Sequence, residues 1–153
     1  MQVTVLDSLV TVDRFHWNRL AGHDPFLQYG FLRGLEETDC LAPQGWYPQH
    51  LVILEGTRLR GALPLYVRDN SYGEFVFDWS WADAYERAGG NYYPKLVTAV
   101  PFAPGTGRRL LIDPDYDKPD LIADLLVKSC LNACDSNNLS SWHCLFPETT
   151  ELR

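Results

Sequence analysis

Between residues 119 and 134 the apolar positions Leu121, Ile122, Leu125, Leu126 and Cys130 recur at helical spacing, with Asp117 near the start and Pro119 in the first turn. This is the clearest amphipathic helix of the chain, and strand-like runs flank it. KLVTAVPF and the short piece LLID come before it, and SWHCLF comes after it, ended by Pro147. A helix that links two strands of one sheet is most simply a right-handed parallel crossover. The chain is therefore expected to be α+β, with helices layered on a central mixed, mostly antiparallel sheet.

The remainder fits that frame. Residues 2–6 alternate around Val3 and Val5 as a first strand. Asp13 can cap a helix reaching Ala21, with Phe15, Trp17 and Leu20 inward and Gly22 as its stop. Asp24-Pro25 reads as a second helix start, with Leu27, Phe31 and Leu35 on one face and an end near Cys40. LAPQGWYPQ reads as a loop. HLVILE and RLRGALPLYVR form a hairpin about Gly56-Thr57, and Pro64 forces an irregularity or an edge because it donates no ladder bond. EFVFD reads as the third strand of the meander, and residues 82–88 as a short helix closed by Gly89-Gly90.

A chain of 153 residues with 46% hydrophobic and 22% charged residues is one ordinary domain with an adequate core. No run of about 18 apolar residues is present to span a bilayer. The start MQVTVLDSLVTVDRF has no basic segment followed by an apolar one, so a cytoplasmic location is expected. A net charge of −7 argues against general nucleic-acid binding. Cys40, Cys130, Cys134 and Cys144 show no CxxC pair and read as reduced thiols; a zinc site drawn from Cys130, Cys134, His143 and Cys144 lacks the usual ligand pairs, so no metal is expected.

Residues 76–96, VFDWSWADAYERAGGNYYPKL, crowd Trp79, Trp81, Tyr85, Tyr92 and Tyr93 beside Asp78, Asp83, Glu86, Arg87 and Lys95. Aromatic rings offer large contact areas with polar tips, and charges crowd together only when they pair or meet a ligand. The stretch is thus either a binding surface or a paired, half-buried network on the rim of a sheet. The four histidines are scattered, and Ser80 is not in a G-x-S-x-G elbow, which argues against a serine hydrolase.

Three segments, PFLQYGFLRGLEET, the run from GWYPQHLVILEG through DWSWADAY to GNYYPKL, and VPFAPGTGRRLL, resemble the bacterial FemAB-like proteins of peptidoglycan biosynthesis or recognition, within the acyl-CoA N-acyltransferase (GNAT) superfamily. The resemblance covers most of residues 25–111, with DWSWADAY and GNYYPKL its most specific pieces. It implies a GNAT-like fold and transfer of an acyl or aminoacyl group to an amine, with acyl-CoA or aminoacyl-tRNA as donor substrate and no permanently bound cofactor. Related Fem proteins carry two such modules in tandem. Here residues 1–153 match a single module, which implies a lone half, a homodimer, or a pairing with a second module.

In that superfamily the donor carbonyl is held by backbone N–H groups at a splayed central strand, and its phosphates lie in the loop before the next helix. The corresponding stretch is Pro104-Gly105-Thr106-Gly107-Arg108-Arg109, where glycines admit close backbone approach and the arginines can fork onto phosphate. The intervening IDPDYDK brings three aspartates that oppose a pyrophosphate, and a plain surface turn is the alternative. For the base the candidates are Asp83 first, then Asp78 and Tyr85, since a carboxylate walled by indoles can have its pKa raised. The competing reading of Asp83, and the stronger one, is a helix cap or an ion-pair partner of Arg87 four residues on. Trp79, Trp81, Arg87, Tyr92, Tyr93 and Lys95 are the candidate contacts to a small-molecule, peptide or glycan acceptor. The reading requires this aromatic segment and the glycine–arginine turn to line one crevice. Its rival is a noncatalytic module that recognises a peptide or glycan in the aromatic cleft.

Overall fold

The structure is a computed structural model that describes residues 1–152. Strand β1 (Gln2–Leu6) is followed by helix α1 (Arg14–Ala21), helix α2 (Tyr29–Glu37) and strands β2 (Trp46–Pro48), β3 (His50–Glu55), β4 (Arg58–Leu63) and β5 (Tyr66–Arg68). Helix α3 (Trp79–Arg87), strands β6 (Lys95–Thr98) and β7 (Leu111–Ile112), helix α4 (Pro119–Ser136) and strand β8 (Trp142–Cys144) complete it. One sheet has the order β1-β3-β4-β7 and the other β2-β5-β6-β8. One long hairpin runs through both, as β3–β4 in the first sheet and β2–β5 in the second. Pro64 interrupts the arm that becomes β4 and β5, Pro48 marks the end of β2 in the opposing arm, and the Gln49 N–H bonds Leu65 O at 2.8 Å across the break.

The crossover expected from the sequence is present: β6 and β8 pair in parallel, Leu96 opposite Trp142, with α4 between them in the chain. Helices α1 and α2 cover one face of the first sheet through Trp17, Leu20 and Leu32 against Val52, Ala62 and Leu111. Helix α4 covers the other face, where Ile122, Leu126 and Cys130 meet Leu51, Ile53 and Leu63. Each such fully buried aliphatic side chain stabilises the fold by roughly 1.5–3 kcal/mol. The contact is close at Gly61 of β4, where a Cβ would come within 2.4 Å of Ile122 Cγ2. Only hydrogen fits there.

Several sequence expectations are corrected. Asp13 caps α1 through the Phe15 and His16 N–H groups, but Phe15 points outward, 69% exposed, while Trp17 and Leu20 are buried. The second helix does not start at Pro25. Asp24 closes a separate turn over Phe26, the Trp17 indole N–H takes Leu27 O at 2.8 Å, and α2 begins at Tyr29, whose N–H bonds Asn18 Oδ1. Part of the expected loop pairs instead: Trp46–Pro48 is strand β2 against β5. EFVFD is no strand. Phe75 and Phe77 sit at φ 61° and 53°, uncommon for bulky residues, with Glu74 and Asp78 turned inward and the two rings outward. The place beside β5 belongs to β6.

Candidate functional site

The aromatic stretch folds around buried charge. Lys95, first residue of β6, has no exposed surface, and its ammonium donates to Glu74 Oε2 (2.8 Å), Asp78 Oδ2 (2.7 Å) and Ser71 Oγ (2.9 Å). Glu74 is also held by Arg68 of β5, whose Nε donates to Oε1 at 3.0 Å while the guanidinium lies 3.8 Å from the Trp46 ring centroid. The Tyr92 hydroxyl donates to Asp78 Oδ2 at 2.6 Å, and Tyr93 OH bonds Ser71 Oγ at 2.7 Å. Two cations and two carboxylates thus neutralise one another under the aromatic surface, which is what makes their burial tolerable.

Over Asp78 and Tyr92 opens a pocket of about 360 Å³, walled by Trp81 and Tyr85 of α3 and by Ser140, Ser141 and His143 at the start of β8. Gly90 lets this wall close, since a Cβ there would fall 2.3 Å from the Tyr85 ring. The His143 ring stands 5.9 Å from that of Tyr92, and Nε2 bonds Ser141 Oγ at 2.9 Å. Burial first, and then the Lys95 charge, push the imidazole below its ordinary range, so it is neutral at pH 7. Burial works against the Asp78 carboxylate, but the bonds from Lys95 and Tyr92 outweigh it and hold the group at about 2. Burial and the bond to Asp78 keep the Tyr92 phenol protonated.

A pH effect follows from Asp78. Its folded-state pKa lies below the ordinary 3.8, so its contribution is complete above about pH 4 and is lost as pH falls towards 2. The stability difference between the native chain and Asp78→Asn, measured by urea unfolding, should hold steady from pH 7 to about pH 5 and shrink below about pH 4. A difference that does not change with pH would remove Asp78 from the network.

The glycine–arginine turn lies elsewhere. Thr98 already faces Cys144 at the end of β8; beyond it the chain leaves the ladder and meets the other segment again only at Gly107, which bridges Pro147 and whose N–H bonds Phe146 O at 3.1 Å. Arg108 spans to Leu20 O and Ala21 O, at 3.1 Å each. The Arg109 guanidinium is buried and donates to the carbonyls of Leu145 (2.8 Å), Arg108 (3.1 Å) and Gly105 (2.6 Å). The turn borders a second groove of about 570 Å³, between Leu110 and Ile112 on one side and Ala123, Val127 and Lys128 of α4 on the other, with Glu151 at its edge. There the backbone N–H groups of Arg109 and Leu110 both donate to Glu151 Oε1, each at 2.7 Å.

The family model for FemAB-like proteins, described as peptidoglycan biosynthesis/recognition, matches residues 8–153. The chain belongs to the FemAB-like family. A search of curated proteins returns no match. Among solved structures, the apo aminoglycoside 6′-N-acetyltransferase AAC(6′)-Ig of Acinetobacter haemolyticus superposes with a TM-score of 0.50 at 11% identity, over 94% of this chain and 78% of that one. The likeness shows the fold: a GNAT-like α+β layer arrangement.

Within this FemAB-like fold the expected site divides. Asp78, Trp81, Tyr85 and Tyr92 come together in one pocket, with Lys95 buried behind it. Asp83 and Arg87 lie on the outer face of α3 and pair with each other, their side chains 64% and 73% exposed. Trp79 meets Phe77 edge-on and Tyr72 at a tilt on the surface, and Tyr93 turns towards Ser71. Gly105, Thr106, Gly107, Arg108 and Arg109 do not reach the pocket, and among the described residues none lines both cavities. The single crevice is therefore corrected to two cavities with no described lining residue in common. Nor can the Arg109 guanidinium reach a phosphate while carbonyls occupy it.

Nothing local in the sequence assigns Ser140 and Ser141 to a site, and His143 stands out there only beside the cysteines, not as a wall of the aromatic pocket. The parallel crossover carried the signal: it brings the start of the last strand beside Lys95. Among the described residues no three His, Cys, Asp or Glu side chains gather to hold a metal, and burial lifts the thiols of Cys130 and Cys144 to about 12 and about 11. No helix among the described residues is long and apolar enough to cross a membrane.

Proposed function

We propose that this FemAB-like module is an N-acyltransferase that moves an acyl or aminoacyl group onto an amine carried by an elongated peptide or glycan acceptor. The observation that carries the reading is the pair of successive N–H groups, Arg109 and Leu110, converging within 2.7 Å on one oxygen at the rim of a groove. That is the donor geometry that stabilises the oxygen of a tetrahedral intermediate. In the reaction the amine nitrogen attacks the donor carbonyl, and the oxygen gains charge against the two N–H groups. Collapse breaks the C–S bond to coenzyme A or the C–O bond to the tRNA ribose, and the proton lost by the attacking nitrogen passes, by way of water, to the leaving thiolate or alkoxide, giving free thiol or hydroxyl and the new amide. The pocket at the other end of β8 holds the body of the acceptor, with Trp81, Tyr85 and Tyr92 as stacking faces and neutral His143 and Ser141 as hydrogen-bonding groups. Asp78 and Lys95 shape this pocket from behind; a carboxylate held at about 2 is a poor base. Residues 1–153 act as one module, alone or beside a second copy.

The test is incubation with labelled acetyl-CoA or aminoacyl-tRNA and amine-bearing muropeptides, which should give acylated product. Trp81, 74% exposed, can be removed without unfolding the chain. Trp81→Ala should raise KM for the acceptor by about threefold to tenfold and leave kcat unchanged, as loss of one stacking contact predicts. A KM for the acceptor that stays the same would remove the pocket from the reading.

A second reading, a recognition module without turnover, is favoured by one feature: the N–H pair is already filled by Glu151, and the aromatic pocket is complete without it. Calorimetric binding of muropeptides with no product from any donor would select that reading.

A further inference from the structure

Past the Gly107–Pro147 bridge the two parallel strands part, and β7 continues as an edge whose ladder partner is β4 on its other side. The N–H groups of Arg109 and Leu110 therefore face a gap instead of a neighbouring strand. Successive backbone N–H groups aimed at one point form an anion-binding concavity. What fills it is a side chain of the same molecule. Glu151 stands in a 3-10 turn, Thr149–Glu151, in a reciprocal capping arrangement with Glu148, and its Oε2 takes the Glu148 N–H at 3.1 Å. The turn's own backbone bonds are local, Glu151 N–H to Glu148 O and Leu152 N–H to Thr149 O. Thr149 and Thr150 are exposed and Leu152 is 70% exposed. Beyond these local bonds, Glu151 is held by the Glu148, Arg109 and Leu110 N–H groups, so that its own carboxylate contacts are what keep it over the strand.

Glu151 also lines the groove over Leu110, Ile112 and Val127, whose floor is apolar and whose rim carries both signs of charge, Arg108 and Lys128 beside Asp120 and Asp124, with Lys128 paired to Asp124 at 3.4 Å. A carboxylate oxygen between two N–H donors has the charge and position of an acyl carbonyl on its way to an oxyanion.

We infer that Glu151 is a built-in competitor for the acyl-carbonyl seat, and that a carbonyl-bearing donor enters the groove only by displacing it. This rests on the reading that the groove takes the acyl donor. The chain then holds itself in a closed state, and the strength of the Glu151 contacts sets the donor concentration at which it opens. Because charge-assisted bonds exceed neutral ones, a glutamate closes the seat more firmly than a glutamine does.

The experiment uses the full chain and begins without a donor. In Glu151→Ala, amide hydrogen exchange at Arg109 and Leu110 should speed up by at least about tenfold, and acetate at tens of millimolar should slow it again by taking the empty seat. Exchange that does not change, or that acetate fails to slow, overturns the proposal and leaves Glu151 a turn cap. The second arm is calorimetric titration with acetyl-CoA. Glu151→Ala should bind about tenfold more tightly than the native chain, with Glu151→Gln in between, as expected when a competing charged contact is removed. Equal affinity for all three chains overturns the competitor role and leaves the acyltransferase reading standing. Acetate protection with no binding of acetyl-CoA or aminoacyl-tRNA to any chain does the reverse: the seat and its occupant stand, and acyl transfer falls. Thermal melts of both variants establish that they are folded.

Discussion

Lys95→Met is expected to lower the unfolding free energy by about 3–5 kcal/mol in urea denaturation at pH 7, the range measured when one partner of a buried ion pair is removed. The ammonium contacts Glu74 Oε2 and Asp78 Oδ2 at 2.8 and 2.7 Å with no exposed surface, and methionine fills the space of its stem but neutralises nothing. Arg68 still pairs with Glu74; Asp78 is left with neutral hydroxyl donors, chiefly that of Tyr92, and no cation. The double variant Lys95→Met with Asp78→Asn should recover part of the loss, because the carboxylate stranded by the first change is then gone. A single variant as stable as the native chain would mean that the charges are solvated, and with that the pocket would lose its rigid floor.

Arg109→Met should cost roughly 3 kcal/mol, since three backbone carbonyls, those of Gly105, Arg108 and Leu145, lose the donor that serves them in a buried place. Arg109→Lys should not rescue it, because a single ammonium cannot span carbonyls that the planar fork reaches together. The same pair of variants tests the role that the sequence suggests for this arginine. If both fold with native stability while binding to acetyl-CoA collapses, the guanidinium clamps phosphate; if stability falls first, it is the pin that holds the glycine turn against the end of β8.

The parts of this architecture that sequence reveals are those with a local period. Helix α4 announces itself by its apolar stripe, α1 by the Asp13 cap and the Gly22 stop, and the β3–β4 hairpin by two strand runs about a glycine turn. EFVFD misleads because its alternation is real but reversed in meaning. The alternate residues that go inward are Glu74 and Asp78, drawn by Arg68 and Lys95, and the phenylalanines are left outside in left-handed backbone. Helix α2 starts later than its proline suggests because the indole of Trp17, ten residues earlier, claims a carbonyl the first turn would need.

The candidate site divides in the same way. Asp78, Trp81, Tyr85 and Tyr92 are legible from density alone, since so many rings and charges within one short stretch have to be organised around something. His143 and Ser141 are not, because their place depends on the register of β6 against β8, which links residues far apart in the chain. The role of Arg109 is hidden in the sequence for a different reason. A glycine-flanked arginine serves phosphates and backbone carbonyls equally well, and only the position of Leu145 and Gly105 decides between them.

The pairing of Leu96 with Trp142 also bears on how the chain is made. During synthesis the segment carrying Trp81, Tyr85 and Tyr92 leaves the ribosome well before Ser141 and His143, so for that interval the rings and the Lys95 ammonium have no far wall to close against. Translation delivers amino acids at about 5–20 per second, which leaves this surface open to chaperones or to its own neighbours on a polysome for seconds. Slowing elongation between codons 96 and 142 should therefore depress the yield of native protein more than the same delay placed after codon 147.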